Sequence, residues 1–430
     1  MKFQSWGRLS GSQGEVKLVS DVDQIADLLH NGENSLAYGA GRSYGDVCLN
    51  PDGTLLAIAG LDRFISFDPE CGVLTCEAGV LLRDIQRHFT PLGWALPVTP
   101  GTQFVTVGGA IANDVHGKSH HVHGTFAHNV LKFTLIRSDG DVLECSPVKN
   151  QKWFAATIGG IGLTGVISTA TLQLQPIASS WIDTETIPFG SVEEFFKLTT
   201  ETNPLWENSV SWIDCTTKRK NHGLLMLGNR SQSSKPAKFK DGIRFPFEPP
   251  FSLVNKLTLK PGNLGYYALN RMKPRKSTVH YEKFFYPLDG VKEWNKVYGP
   301  KGFFQYQSVI PPENALEGTK EMLKEISNSG QGSVLGVLKA FGDKPSLGML
   351  SFPMAGTTLA LDFPNCGMET EQLFQRLDAI VKAANGRVYL AKDARMSREM
   401  FESGYDQILN FKKFRDPKIS SAMSKRLLGS

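Results

Sequence analysis

No stretch of this chain approaches the roughly 20 apolar residues of a membrane-crossing helix, and Met1–Arg8 lacks the apolar core of a signal peptide. Those two absences argue against a helical membrane protein and a secreted one, and the expected address is the cytoplasm. Cysteine is scarce: Cys48, Cys71, Cys76, Cys145, Cys215 and Cys366 are scattered without a C-x-x-C pair, which excludes a zinc knuckle or a dithiol redox centre. Reduced, mostly buried thiols are expected instead. Excess charge is also small, a formal +5 from 47 basic and 42 acidic residues. That permits an anionic ligand or membrane surface but is too weak to imply nucleic acid. There is no internal repeat, and glycines at Gly39, Gly41 and Gly45 have the wrong spacing for the dinucleotide motif G-x-G-x-x-G.

What is present is a chain of 430 residues, 41% hydrophobic and 21% charged, enough for a large core and two domains. Tyr38 to Asp46, Tyr-Gly-Ala-Gly-Arg-Ser-Tyr-Gly-Asp, follows a short apolar segment. Its glycines allow positive φ and expose consecutive N–H groups to an anion, so it reads as a diphosphate cradle or as a glycine-rich surface turn. Around it, strands are predicted at Glu15–Val19, Thr54–Ile58, Phe64–Phe67 and Val73–Ala78. Helices are predicted at Asp21–His30, with Asp21 as N-cap, and at Val80–Thr90. This is an α+β rhythm. Pro100 to Gly117 carries Gly101, Gly108, Gly109 and Gly117 among small residues, suited to backbone lying against a planar ring or to close packing of a helix on a sheet. A hairpin over 131–145, a short helix Trp153–Thr157, the glycine run Gly159–Gly165 and a strand Val166–Leu174 close this part.

Four of these segments, Tyr38–Asp46, Pro97–Ala112, Asp114–Lys118 and Gly159–Ile167, resemble in order the flavin-binding segments of the flavoenzymes related to vanillyl-alcohol oxidase. Phe304–Pro311, Asp362-Phe363-Pro364 and Tyr389–Asp393 are similar to the branch of decaprenylphosphoryl-ribose oxidases and their bacterial relatives. The resemblance implies a two-domain fold of the PCMH FAD-binding type, with residues 1–179 and a return at 387–430 binding flavin. Residues 180–386 would form an inserted mixed-sheet substrate domain. It also implies FAD contacts from Gly39, Ala40, Gly41, Arg42, Ser43, Tyr44, Gly45 and Asp46, and from Gly101, Thr102, Thr106, Val107, Gly108 and Gly109. Asn113, Asp114, Val115, His116, Gly117, Gly162, Gly165, Val166 and Tyr389 complete that set. Lys392, His116 and Tyr44 match catalytic positions, and Trp212, Gln305, Gln307, Lys339 and Lys392 match substrate contacts.

The residues themselves support part of this. Lys392 follows an apolar strand, where desolvation lowers a lysine pKa, and Gln305, Gln307 and Lys339 alternate with apolar residues, as side chains projecting from a sheet do. The implied activity is oxidation of a secondary hydroxyl, the 2′-hydroxyl of a polyprenylphosphoryl pentose, with a separate short-chain reductase completing an epimerisation. A sugar, alditol or aldonolactone oxidase using oxygen is the nearer alternative. Tyr38–Asp46 contains no histidine, so FAD is expected to be non-covalent. Ala360 stands where the mycobacterial enzymes carry a cysteine.

In the inserted part, helices are expected at Ser191–Thr200, Val291–Tyr298, Ala315–Ser327 and Glu369–Asn385. Strands are expected at Gly302–Ile310, Ser333–Phe341, Thr357–Phe363 and Arg387–Ala391, before short helices at Met396–Ser403 and Tyr405–Phe414. Residues 231–280 mix Lys235, Lys238, Lys240, Arg244, Lys256, Lys260, Arg271 and Lys273 with prolines and aromatics, reading either as solvated loops or as a peripheral contact with an anionic inner membrane. His116, His120, His121, His123 and His128 have no acidic residue among them and no helical metal spacing free of glycine, so no metal is expected. A loose Walker A pattern at Ala112–Ser119 leaves a nucleotide hydrolase as the remote alternative.

Overall fold

The computed structural model describes residues 3–9, 14–217, 221–233, 235–236, 239 and 241–429. Lys238 and Lys240 of the basic segment lie outside them. Three sheets organise the chain. Val16–Leu18, Thr54–Ala57 and Ser35–Tyr38 form a parallel three-stranded sheet whose last strand leads into the glycine stretch. Helix Asp23–Asn31 crosses between two of its strands, and the Asp21 carboxylate accepts the Asp23 N–H at 3.1 Å, one position before the N-cap, Val22.

A second, antiparallel sheet runs Phe64–Asp68, Val73–Glu77, Val166–Gln173, Val130–Ile136, Val142–Cys145. Helix Val107–Ala112 packs against it: Thr106 Oγ1 accepts from Gly109 N at 3.2 Å, and a Cβ on Gly108 would sit 3.0 Å from the Ala78 Cβ. The close-packing reading of Gly108 therefore holds.

The third sheet has eight strands in the order Lys276–His280, Trp181–Phe189, Gly223–Arg230, Asn208–Ile213, Val337–Phe341, Gly356–Pro364, Phe303–Ile310, Arg387–Val388. Every pairing is antiparallel, which corrects the expectation of a mixed sheet. The helices Pro312–Ser329 and Met368–Ala383 cover one face, burying Met322, Leu323, Ile326, Leu373, Phe374 and Leu377. Asn385, at φ +56°, ends the second helix, and the Gly386 N–H caps the Val381 carbonyl. The other face of the sheet is left for the site.

Four local expectations change. Val291–Tyr298 is not a helix: Glu293 at φ +57° separates a two-residue strand, Val291–Lys292, from a 3-10 turn, Trp294–Tyr298. The strand after Gly386 stops at Val388, and 389–394 turns. The strand expected from Ser333 begins at Val337. Within 231–280 a 13-residue helix, Leu259–Arg271, forms despite Pro261, Gly262 and Gly265, because proline in a first turn removes no intrahelical hydrogen bond. Buried Asn263 ties that helix to the sheet end, donating to Asp214 Oδ1 at 2.9 Å and to the Ser333 carbonyl. Among the described residues no helix is long and apolar enough to cross a membrane.

Leu377 is fully buried where helix Met368–Ala383 meets the sheet. Leu377→Ala is expected to destabilise by about 2–5 kcal/mol, whereas Leu409→Ala, at an exposed position, should stay within about 0.5 kcal/mol of wild type. Urea midpoints of both variants check this, with an unmoved Leu377→Ala midpoint refuting the packing assignment.

Candidate active site

A single cavity of about 1150 Å³ lies between the glycine-bearing segments and the free face of the eight-stranded sheet. Strand pleating selects the sheet's contribution. In the pair Phe303–Ile310 and Gly356–Pro364, Gln305 faces Asp362 and Gln307 faces Ala360, so all four share one face and line the cavity. The intervening Tyr306, Leu361 and Phe363 go into the core. Val337, Lys339 and Thr358 extend the row, and Trp212, opposite Val337, continues it while its Nε1 donates to the Val334 carbonyl at 2.9 Å.

Opposite this face lie Gly39, Ala40, Gly41, Arg42, Ser43, Tyr44, Gly101, Thr102, Thr106, Gly108, Gly109, Asn113, Val115, His116, Gly117, Gly162, Gly165 and Tyr389. Gly41 has φ +61°, and a Cβ on Gly39 would meet Thr106 Oγ1 at 2.4 Å, so the first two segments touch backbone to side chain. Five expected flavin contacts are absent from the cavity wall. Gly45 is pressed against the Asp393 carbonyl, Asp46 turns to Arg426, and Val107 and Val166 are core residues. Asp114 is buried, accepting from Ser351 Oγ at 2.6 Å and from the Ala127 N–H. Proximity in sequence to a glycine segment did not distinguish wall from support.

Burial governs the charges. It lowers Lys392 to about 7, with Asp362 opposing, and raises Asp362 to about 7, with the Gln305 hydrogen bond and Lys392 opposing. Burial thus disfavours the charged form of each group, and their mutual attraction opposes it. Burial, then repulsion from Lys118 and Lys392, lowers Lys339 to about 7, and burial lowers Lys118 to about 8. Lys392 Nζ sits 3.8 Å over the Tyr44 ring. Burial, then Lys339, pushes His116 well down, so its imidazole is neutral. Lys339 Nζ lies 3.2 Å from His116 Nδ1, and the Gln307 amide lies 3.1 Å from both His116 Nε2 and Thr358 Oγ1. The Gln307 group in both contacts is the amide nitrogen, which donates to Thr358 Oγ1; with it also donating to Nε2, the neutral ring carries its hydrogen on Nδ1, towards the Lys339 amine.

Sequence reasoning passed over Asp362 and Lys118 as site residues. Asp362 was visible as part of a motif, and its partner Gln305 donates to it at 2.6 Å. Lys118 belonged to the Walker-like pattern, but that pattern lies between the short helices Val107–Ala112 and His120–His123 rather than between strand and helix. Its Nζ donates to the Phe285 carbonyl at 2.9 Å. A phosphate loop of that type is therefore excluded. The other histidines of that cluster go to separate partners: His120 accepts the Gly342 N–H, His121 meets the Trp206 carbonyl, His123 meets Glu207, and His128 meets Thr125.

Residues 16–146 match the family described as FAD binding domain. Decaprenylphosphoryl-beta-D-ribose oxidase of Mycolicibacterium smegmatis is 34% identical over 99% of this chain and 97% of its own length. An uncharacterized protein of Streptomyces coelicolor is 30% identical over 81% of this chain and all of its own. L-gulonolactone oxidase of Mus musculus is 33% identical over 41% of each chain. The cavity suits FAD: glycine backbone lines one side, and Arg42 Nε and Asn113 Oδ1 are buried wall atoms without a hydrogen-bond partner. By this similarity the chain belongs to the decaprenylphosphoryl-beta-D-ribose oxidase family and is an FAD-dependent oxidoreductase acting on CH–OH groups.

Proposed function

We propose that this protein oxidises a secondary hydroxyl, the 2′-hydroxyl of a polyprenylphosphoryl pentose, to a ketone, with a separate reductase completing an epimerisation. In this reading residues 1–179 and 387–430 hold FAD through Gly39–Tyr44, Gly101, Thr106, Gly108, Gly109, Asn113, Gly162, Gly165 and Tyr389. The sheet of 180–386 presents Trp212, Gln305, Gln307 and Lys339 to the sugar. Bound FAD supplies the two-electron acceptor for the carbon-bound hydride. Lys392 in its neutral form takes the hydroxyl proton, Asp362 offsets the charge that results, and Tyr44 supports the amine through its ring face. His116 engages Lys339 through Nδ1 and Gln307 through Nε2, and so fixes these two side chains towards the sugar. The observation carrying the reading is that Lys118, Lys339 and Lys392 line one cavity with His116: an anionic ligand would hold lysines there in protonated form, and burial, which lowers each of them, offers a base at Lys392.

FAD is held without a covalent bond in this reading. The glycine loop has no histidine, and burial pushes the thiol of cavity-lining Cys48 up to about 12, leaving no thiolate to form a tether. Denaturing the purified protein should send all its flavin absorbance into the supernatant; colour in the pellet would overturn this.

Because the amine must be neutral to accept a proton, flavin reduction by lipid-linked pentose should rise with pH through about 7 and then level off. Lys392→Met is expected to slow reduction by about 100-fold or more with the spectrum of bound FAD retained. Stopped-flow absorbance checks both, and flavin that stays oxidised with every such sugar would sink the reading. Rapid reoxidation in air would favour the sugar or aldonolactone oxidase alternative, which the similarity to L-gulonolactone oxidase motivates.

Helix Leu259–Arg271 fits a lipid substrate. Leu257, Leu264, Leu269 and Met272 are exposed on and beside it, among Lys256, Lys260, Arg271 and Lys273, while Tyr266, Asn270 and Lys273 reach the cavity mouth. An amphipathic helix of this composition rests on an anionic bilayer. Co-flotation with phosphatidylglycerol vesicles should exceed that with phosphatidylcholine, and Leu264→Asp combined with Leu269→Asp should abolish it; equal flotation on both lipids would refute the contact.

A further inference from the structure

Arg426 lies outside the cavity wall, on the chain's last helix, Ala422–Leu428. A reciprocal Ser421–Ser424 cap starts that helix, and Met423, Leu427 and Leu428 bury it in the core, so the arginine leaves a fixed base. Its guanidinium holds Asp46 with both branches, Nε to Oδ2 at 3.0 Å and Nη2 to Oδ1 at 2.9 Å. The same Nη2 reaches Asp393 Oδ2 at 3.0 Å, and Nη1 donates to the Met396 carbonyl. These partners flank the residues of interest: Asp46 is two positions after Tyr44, and Asp393 directly follows Lys392.

The two carboxylates belong to two backbone pieces in close register. The Tyr44 N–H donates to the Ala391 carbonyl at 3.0 Å, and a Cβ on Gly45 would lie 1.6 Å from the Asp393 carbonyl oxygen, so only glycine allows that approach. Asp393, itself buried, also accepts the N–H groups of Arg395 and Met396, which shapes the turn carrying Lys392. Without the arginine, two partly or fully buried carboxylates would face one another across this seam.

We propose that Arg426 is the positioning residue for Lys392, clamping its turn to the Tyr44 loop so that the amine stays desolvated above the Tyr44 ring. The clamp rests on the reading of Lys392 as base for its purpose, but not for its geometry. A planar guanidinium bridges two carboxylates at fixed angles, which a single ammonium does not. The flavin-facing glycine loop and the lysine turn, more than 340 residues apart in sequence, thereby move as one unit.

The test labels FAD-loaded wild type, Arg426→Met, Arg426→Lys and Asp46→Asn with a small water-soluble N-hydroxysuccinimide ester and reads each lysine by mass spectrometry. Lys339, equally buried in the cavity but off the clamp, is the internal control. Compared as rate constants for the neutral amine, taken from the pH dependence of acylation, Arg426→Met should accelerate labelling of Lys392 by about tenfold or more with Lys339 unchanged, Asp46→Asn should act in the same direction, and Arg426→Lys should fall between. The pH dependence of flavin reduction should move to higher pH in Arg426→Met, because a solvated lysine regains its ordinary basicity. Lys392 labelling unchanged in both Arg426→Met and Asp46→Asn, or Lys339 rising in parallel, would overturn the proposal and leave Arg426 a general stabilising residue. Labelling does not depend on turnover, so failure of Lys392 as a base would appear separately, as undiminished reduction by Lys392→Met.

Discussion

Removal of lysine side chains from water is the constraint on which the rest of this site depends. Lys118, Lys339 and Lys392 share one cavity, and burial lowers all three because a charged ammonium loses more solvation than its surroundings return. The repulsion that Lys118 and Lys392 exert on Lys339 adds to this, and both Lys339 and Lys392 disfavour protonation of His116. A neutral histidine, an amine that titrates near neutrality and a raised carboxyl at Asp362 are thus consequences of one cause. An anionic ligand would act against that cause, holding the lysines in their protonated form.

The cavity exists because two kinds of backbone meet there. On one side, glycines remove side chains where the chain folds tightly, as at Gly41 with its positive φ. On the other, an antiparallel sheet with one face covered by helices has its second face free, and pleating gathers Gln305, Gln307, Ala360 and Asp362 upon it. The segment after Phe284 joins the two sides. Tyr286 OH meets Thr99 Oγ1 at 2.6 Å, Asp289 accepts the Gln103 N–H at 2.8 Å, and the Phe285 carbonyl receives Lys118. Residues 285–289 therefore touch the glycine segments through specific polar contacts and not only through apolar burial.

Ala360 gives the cavity an apolar stretch of wall. It lines the cavity opposite Gln307, with Asp362 and Thr358 to either side on the same strand face. A methyl group there offers neither a nucleophile nor a hydrogen bond, so that part of the pocket discriminates by shape. The polar groups of that wall include those of Gln305, Gln307, Lys339 and Lys392.

Sequence alone determined the features that rest on local physics. Glycine at Gly39, Gly41, Gly108 and Gly109, the amphipathic helix Met368–Ala383 with Asn385 at its end, and the alternation that turns Gln305 and Gln307 to one face were all legible, because propensity and periodicity act over a few residues. The family resemblance was legible too, and it named Lys392, His116, Gln305, Gln307 and Lys339 before their positions were known. Tertiary structure decided the rest. It made the eight-stranded sheet antiparallel throughout, formed helix Leu259–Arg271 in a stretch rich in proline and glycine, and broke the helix expected at Val291–Tyr298 at Glu293. It also separated the residues that line the cavity from those that support it, sending Asp46 to Arg426 and Asp114 to Ser351. The reason is common to all of these: strand pairing, burial and ion pairing are set by partners far off in sequence, from 49 residues for Asn263 and Asp214 to 380 for Asp46 and Arg426, and no local window contains both members of the pair.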